Sequence, residues 1–285
     1  LNPLAWYRMG DNGAYKDPQW LIPSNENKDK VSNYSIEFDG VNDLFDVANN
    51  TVIGRTQNIS YSVWVNLSST DNQYIVGNFN SSNRGAGLLV ENTGVGLSEL
   101  IFQIGNVTND SYFNSRAVNF SSVAPINTWN HILATWDGAD AKIYINGVLQ
   151  NTWSPTLPYT ISGWLPFRIG YHCCGSYING KLNEISLFDT SISIGDVWDG
   201  SGQPIDVSGV SGITNYWKMG ENATFVYDVN PDGTWTIPDE VGSSDGTSNN
   251  LMVDSARVGE APNSTNNAVS FNMDLIDRVE DTPPT

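Results

Sequence analysis

The sequence is poor in the side chains that carry most enzyme chemistry. Two histidines, His131 and His172, and two cysteines, Cys173 and Cys174, are all that 285 residues contain. The cysteines are neighbours. Consecutive Cα atoms sit about 3.8 Å apart where ordinary disulfides prefer more, so no disulfide framework staples this chain. Cys173 and Cys174 are read as two thiols in a loop, with a strained mutual disulfide or a link to another molecule as the alternatives. Basic residues are also few: 13 Lys and Arg stand against 31 Asp and Glu, a net charge of -18. That field repels phosphate backbones and anionic lipid, so neither nucleic acid nor a membrane surface is an expected partner. No run of eighteen apolar residues exists to span a bilayer, and no membrane insertion is expected. Amphipathic helical periodicity is missing too, apart from about one turn at residues 194–198.

What the chain does have is Asn, Ser, Thr and Gly in quantity, with ten Trp, twelve Tyr and ten Phe. Such a composition builds neutral polar surfaces, as extracellular β proteins often do. The start at Leu1 rather than Met suggests a processed product or a fragment. The best-punctuated stretch is residues 129–150, where Thr135-Trp136 runs into Asp137-Gly138. Residues 141–145 then alternate, and Asn146-Gly147 reverses the chain again. Ile143 and Ile145 share one face of that strand and Lys142 and Tyr144 the other. Residues 59–66 alternate strictly, with Ile59, Tyr61, Val63 and Val65 against Ser60, Ser62, Trp64 and Asn66. Further strands are expected at 34–38, 44–47, 74–79, 86–91, 100–105, 112–119, 165–171 and 177–188, separated by Asn, Ser, Gly or Asp clusters. The fold class is therefore all-β, a two-sheet antiparallel sandwich.

Residues 205–213, overlapping the Gly- and Ser-rich run 200–212, read as a linker between a domain at 1–204 and a β-rich extension at 214–285. The extension repeats the front of the chain. Tyr216-Trp217-Lys218-Met219-Gly220-Glu221 echoes Trp6-Tyr7-Arg8-Met9-Gly10-Asp11, and Trp235-Thr236-Ile237-Pro238 echoes Trp20-Leu21-Ile22-Pro23. A front end of about seventy residues cannot bury its own strands, so the extension is expected to pack on the main sandwich or on a neighbouring subunit.

The motifs resemble those of the laminin G-like jelly rolls of the concanavalin A-like superfamily over about residues 1–200. The carriers are Trp6 to Asp11, Ile36-Glu37-Phe38-Asp39-Gly40, Trp64 in its strand and Trp129-Asn130-His131 leading into Trp136-Asp137-Gly138. Ile143-Tyr144-Ile145-Asn146-Gly147, Arg168-Ile169-Gly170 and Gly180-Lys181-Leu182-Asn183-Glu184-Ile185 complete them. The extension is similar to segments found in surface and tail proteins of marine phages. The resemblance implies a jelly roll and a carbohydrate- or protein-binding role outside the cell. It also implies a structural Ca2+ held by Asp39 and Asp43 with Asn183 and Glu184, Asn183 standing where an acidic residue is common. Asp39 to Asp43 read equally well as turn residues.

Glycosidases of this architecture alternate carboxylates along one strand, whereas Glu184 and Asp189 are five residues apart and fall on opposite faces of a regular strand. No catalytic residue is assigned, and His131 is read as structural. The loop 171–177 gathers Tyr171, His172 and Tyr177, with Trp164 nearby in sequence, and stacking aromatics beside polar groups are what a sugar needs. The chain is thus read as a non-enzymatic structural or adhesion protein of the extracellular space or a virion surface. Its expected partners are a glycan or other subunits of a surface assembly, itself included through the C-terminal segment. A Ca2+-dependent lectin is the alternative and a polysaccharide hydrolase the remote one.

Overall fold

The computed structural model describes residues 32–47, 58–78, 85–94, 97–106, 111–117, 120–154, 167–171, 176–250 and 252–262. In chain order the strands begin with β1 (Ser35–Asp39), β2 (Leu44–Val47), β3 (Ile59–Leu67), β4 (Gln73–Gly77), β5 (Ala86–Gly94) and β6 (Leu97–Asn106). They continue with β7 (Ser111–Ala117), β8 (Asn130–Trp136), β9 (Ala141–Ile145), β10 (Val148–Trp153), β11 (Arg168–Ile169) and β12 (Asn179–Phe188). The extension adds β13 (Ile213–Trp217), β14 (Thr224–Val229), β15 (Asp232–Ile237), β16 (Gly246–Asn249), β17 (Met252–Val253) and β18 (Arg257–Val258). One α-helical turn, Phe120–Val123, and short 3-10 turns at Ile194–Asp196 and Asp254–Ala256 are the helices among the described residues.

Two antiparallel sheets result. The first runs β10-β9-β8-β3-β12-β1-β18, with β13 also on β12; the second runs β14-β15-β16-β2-β11-β4-β5-β6-β7, with β17 on β15. The hairpin of residues 129–150 is β8 and β9. Its turn is fixed by Asp137, whose Oδ1 accepts the amides of Ala139 and Asp140 at 2.9 and 2.7 Å. The second reversal uses Asn146 at φ 49° and Gly147 at φ 80°, the paired left-handed residues of a two-residue hairpin turn.

The apolar faces of the two sheets meet in one core, which holds Phe38, Tyr61, Phe102, Trp136 and Phe167. Trp217, Met219, Trp235, Ile237 and Met252 of the extension belong to the same core. The extension is thus built into both sheets: β13 pairs Ile185 to Phe188 of β12, and β16 pairs all of β2. Alternation in β3 suggested one covered face, but every residue of the strand is buried. The cover on the far face is residues 189–212, where Ile192, Val197 and Val207 pack with Leu133, Phe188 and Tyr216. The stretch 205–213, expected as a linker, is a packed part of this layer, with Val207 only 5% exposed.

Ser60 is satisfied under this layer, as burial demands. Ser60 donates its hydroxyl to the Thr190 carbonyl at 2.7 Å and accepts the Ile192 amide at 3.1 Å. Trp198 stacks on Trp64 at 5.5 Å and on His131 at 5.4 Å. A Cβ on Gly147 would lie 2.4 Å from the Trp198 indole nitrogen, at a positive φ. Gly147→Ala should therefore cost about 1–3 kcal/mol and disturb tryptophan fluorescence. Gly195→Ala, where a Cβ meets nothing within 4 Å, should stay within about 0.5 kcal/mol of the parent; urea unfolding of the two variants distinguishes them.

Candidate functional site

The outward face of the second sheet carries a polar row. Phe45, Val47, Phe167, Ile169, Ala86 and Leu88 point into the core, so their strand neighbours Asp46, Arg168 and Gly87 point away. Cross-strand register lines up Thr236 with Thr247, Thr247 with Asp46, Asp46 with Arg168, Arg168 with Gly77, and Gly77 with Gly87. Directly opposed residues share a face. The row therefore passes from hydroxyls through an acid and a base to two glycines, where it loses its side chains. At Gly77 a Cβ would stand 2.6 Å from the Ala86 carbonyl oxygen.

Arg168 is the hub. Its Nε donates to Asp46 Oδ1 at 2.7 Å, with both side chains about a third exposed, at 34% and 39%. Asn249 donates its amide to the other oxygen of Asp46 at 2.9 Å. The guanidinium lies 5.7 Å from the ring centre of Tyr171, and Tyr171 stacks on Tyr177 at 4.3 Å with the planes 19° apart. Both tyrosines are half-buried. The amide of Ile178 donates to the Gly170 carbonyl and that of Gly170 to Ile75, which ties both ends of the tyrosine loop to the sheet. A stacked aromatic pair beside a charged, hydrogen-bonded row can take a flat apolar face and its polar edges at once.

Of the residues expected at a ligand rim, Tyr171 and Tyr177 are brought together. Trp164 and His172 lie outside the described residues, as do Cys173 and Cys174. Sequence reasoning missed Arg168, Asp46 and Asn249. Arg168 stands in a fold motif, which accounts for it without a ligand, yet a charge flanked by Phe167 and Ile169 marks an outward strand position. Asn249 is 203 residues from Asp46, and no local signal joins them.

The four residues expected to hold Ca2+ do not form one set. Asp39 faces Asn179 across β1 and β12, so Asn183 lies four residues, about 13 Å, farther along. Asp39 Oδ1 accepts the amides of Val41 and Asn42, and Asp43 Oδ2 accepts that of Asp39 at 3.0 Å, which are turn contacts. Burial first, and then the charge of Asp39, raise Asp43 to about 6. Asn183 donates its amide to Ser32 Oγ at 2.8 Å and to the Tyr34 carbonyl at 2.6 Å. Among the described residues no group of three or more His, Cys, Asp or Glu is placed to hold a metal. The arrangement does not fit a shared ion, and the reason is strand register.

Glu184 sits where β12 bulges, with the register against β3 breaking between Asn183 and Ser186 and its own φ at 45°. It is 5% exposed and accepts a short hydrogen bond from the Tyr216 hydroxyl. Burial raises its carboxyl to about 8, so it is protonated at neutral pH. No second carboxylate hydrogen-bonds to it among the described residues, and Asp189 lies past the end of β12. His131 is fully buried, with Ser62 Oγ 2.8 Å from its Nε2, and burial lowers it to about 3.

This is a two-sheet β sandwich of the lectin type, and the chain belongs to the concanavalin A-like lectin/glucanases superfamily, whose laminin G model matches residues 38–197. The match stops before β13, although the extension completes both sheets. A candidate carbohydrate binding protein from Bacteroides ovatus is 17% identical, with a TM-score of 0.57 over 78% of this chain and 60% of that one. The heptameric SAP-like pentraxin of Limulus polyphemus is 16% identical, TM-score 0.45, over 57% of this chain and 78% of that one. Domains LG4-5 of the mouse laminin alpha1 chain are 11% identical, TM-score 0.44, over 64% and 45%. These likenesses are of fold, and the chain spans 60% of the Bacteroides protein's length. No curated protein matches by sequence.

Between pH 4.5 and about 8 the folded state keeps a proton on Glu184 that the unfolded chain has released. Its contribution to stability is therefore fully present below 4.5 and lost as pH rises through 8. Glu184→Gln cannot ionise. Its stability relative to the parent should rise by up to about 1.4 kcal/mol per pH unit across that window, read from urea unfolding at about pH 5 and 8.5. An unchanged difference would contradict the assignment.

Proposed function

We propose that the protein is a non-catalytic carbohydrate-binding domain that works in adhesion outside the cell, and that its binding face is the outward row of the second sheet. The observation that carries this reading is the stacked Tyr171–Tyr177 pair joined through Arg168 to Asp46 and Asn249. A pyranose ring presents CH groups to an aromatic face and hydroxyls at its rim, and this patch offers a ring together with charged donors and acceptors. The acidic net charge favours neutral glycans over polyanionic ones. Superfamily membership and the likeness to the Bacteroides fold agree with this reading but do not carry it.

Assembly into a structural array through the extension is less favoured, because β13 to β18 are spent on the chain's own sheets. No ion is needed between the tyrosine platform and a sugar, so binding should survive a chelator.

Glycan-array screening followed by calorimetry tests the reading. Tyr177→Ala and Arg168→Ala should each weaken binding at least about tenfold, the scale of one lost stacking or charge-assisted contact. Unfolding midpoints should move little. No glycan bound, or binding indifferent to both changes, would overturn it.

A further inference from the structure

The polar row that passes through Asp46 and Arg168 continues across the extension to its outermost strand. β15 and β16 bury Trp235, Ile237, Gly246 and Ser248 and therefore turn Thr236 and Thr247 outward. Thr224 of β14 faces Thr236, Thr236 faces Thr247, Thr247 faces Asp46, and Asp46 faces Arg168. Neighbouring strands lie about 4.8 Å apart, so these five side chains form a line about 19 Å long across the sheet. Thr224 and Thr247 are exposed and Thr236 is half-buried. Thr234, on the same face, gives its hydroxyl to Asp228 at 2.8 Å, whereas those of Thr224, Thr236 and Thr247 have no partner among the described residues. Val226, opposite Thr234 and 64% exposed, sets an apolar side chain beside the line.

Free hydroxyls repeated at strand spacing separate a long ligand from a short one. The tyrosine pair and Arg168 suffice for one or two sugars, and they lie within the superfamily match, which ends at residue 197 before any of the three threonines. The extension therefore adds polar groups to a sheet that already carries a platform. The strand spacing is close to the advance of one pyranose unit in an extended chain, so a linear glycan lying across the strands meets about one hydroxyl per sugar. A threonine hydroxyl both donates and accepts, as a sugar hydroxyl does. These positions are also fixed in advance, because the inner face of β15 carries Trp235 and Ile237 in the core, and little ordering is left to oppose binding. Charge narrows the class: Arg168 is already paired with Asp46, and Asp228 lies on the same hairpin, so a polyanionic chain would meet carboxylates.

We propose that the extension lengthens the glycan face into a platform for an internal segment of a linear, neutral, extended polysaccharide, about four to five sugars long, with Thr247, Thr236 and Thr224 as its successive far subsites. This rests on the reading of Tyr171, Tyr177 and Arg168 as a glycan site. Calorimetry on the full-length chain with β-1,4-glucan, β-1,4-mannan and β-1,4-xylan oligosaccharides of two to six units tests it. At least one series should bind, with Kd falling about tenfold or more from two to five units and levelling off at six. Thr236→Val with Thr247→Val keeps the β-branched shape and removes both hydroxyls. It should cut that length-dependent gain about threefold or more, with the urea midpoint unchanged; if the double variant does not fold, Thr224→Val on the outermost strand replaces it. Affinity independent of chain length, a gain that survives loss of the hydroxyls, or no binding in any of the three series would overturn the proposal. In that event a different glycan bound on the array and lost in Tyr177→Ala leaves the glycan reading standing, whereas an array with no bound glycan removes both.

Discussion

Everything in this molecule hangs on the pairing of β12, ten residues that hold β3 on one edge and divide the other between β1 and β13. A regular strand of that length would meet a single partner on each side. The bulge at Glu184 lets the strand change register midway, and the second half then accepts the extension. The bulge also buries a carboxyl. Glu184 is tolerated because it keeps its proton and receives the Tyr216 hydroxyl, a group that only the extension supplies. Strain, burial and domain closure therefore meet at one residue.

Closure of the sandwich in turn positions the candidate glycan face. β16 of the extension sits beside β2, and Asn249 on β16 completes the polar chain through Asp46 to Arg168. The polar row is composed of residues from both ends of the described chain, held in line by a sheet whose inner face is the common core. Tyr171 and Tyr177 extend it from a loop tied by backbone hydrogen bonds. The proposed glycan face thus uses loop and outward strand positions, while the 129–150 hairpin serves the core.

The hairpin was legible because its turns are local chemistry: Asp137 binds the amides two and three residues on, and Asn146-Gly147 takes the left-handed conformation. Sandwich class and most strands of the first 190 residues followed from alternation. What was not legible is nonlocal. Nothing in Ser60, Ser62 or Trp64 announces that residues 189–212 will cover the polar face of β3. Gly and Ser around Val207 looked like a linker, although one valine anchors the run. The repeat of the front end was visible, but its seat on β12 was not, and the bulge that makes the seat leaves no mark in the sequence. The four residues of the expected Ca2+ set are spread along β12 because resemblance carries residue types, whereas register decides distances.

The central claim is that the extension and the sandwich are one cooperative unit joined at β12. Native-state hydrogen exchange of the full-length chain tests it directly. The amides of Asn215 and Trp217 in β13, which face Leu187 and Ile185, should open with the same free energy as those of Ile185 and Leu187 in β12, and with the same urea dependence, as members of one unfolding unit. Exchange in β13 through a separate, lower-energy opening that leaves β12 protected would contradict the account.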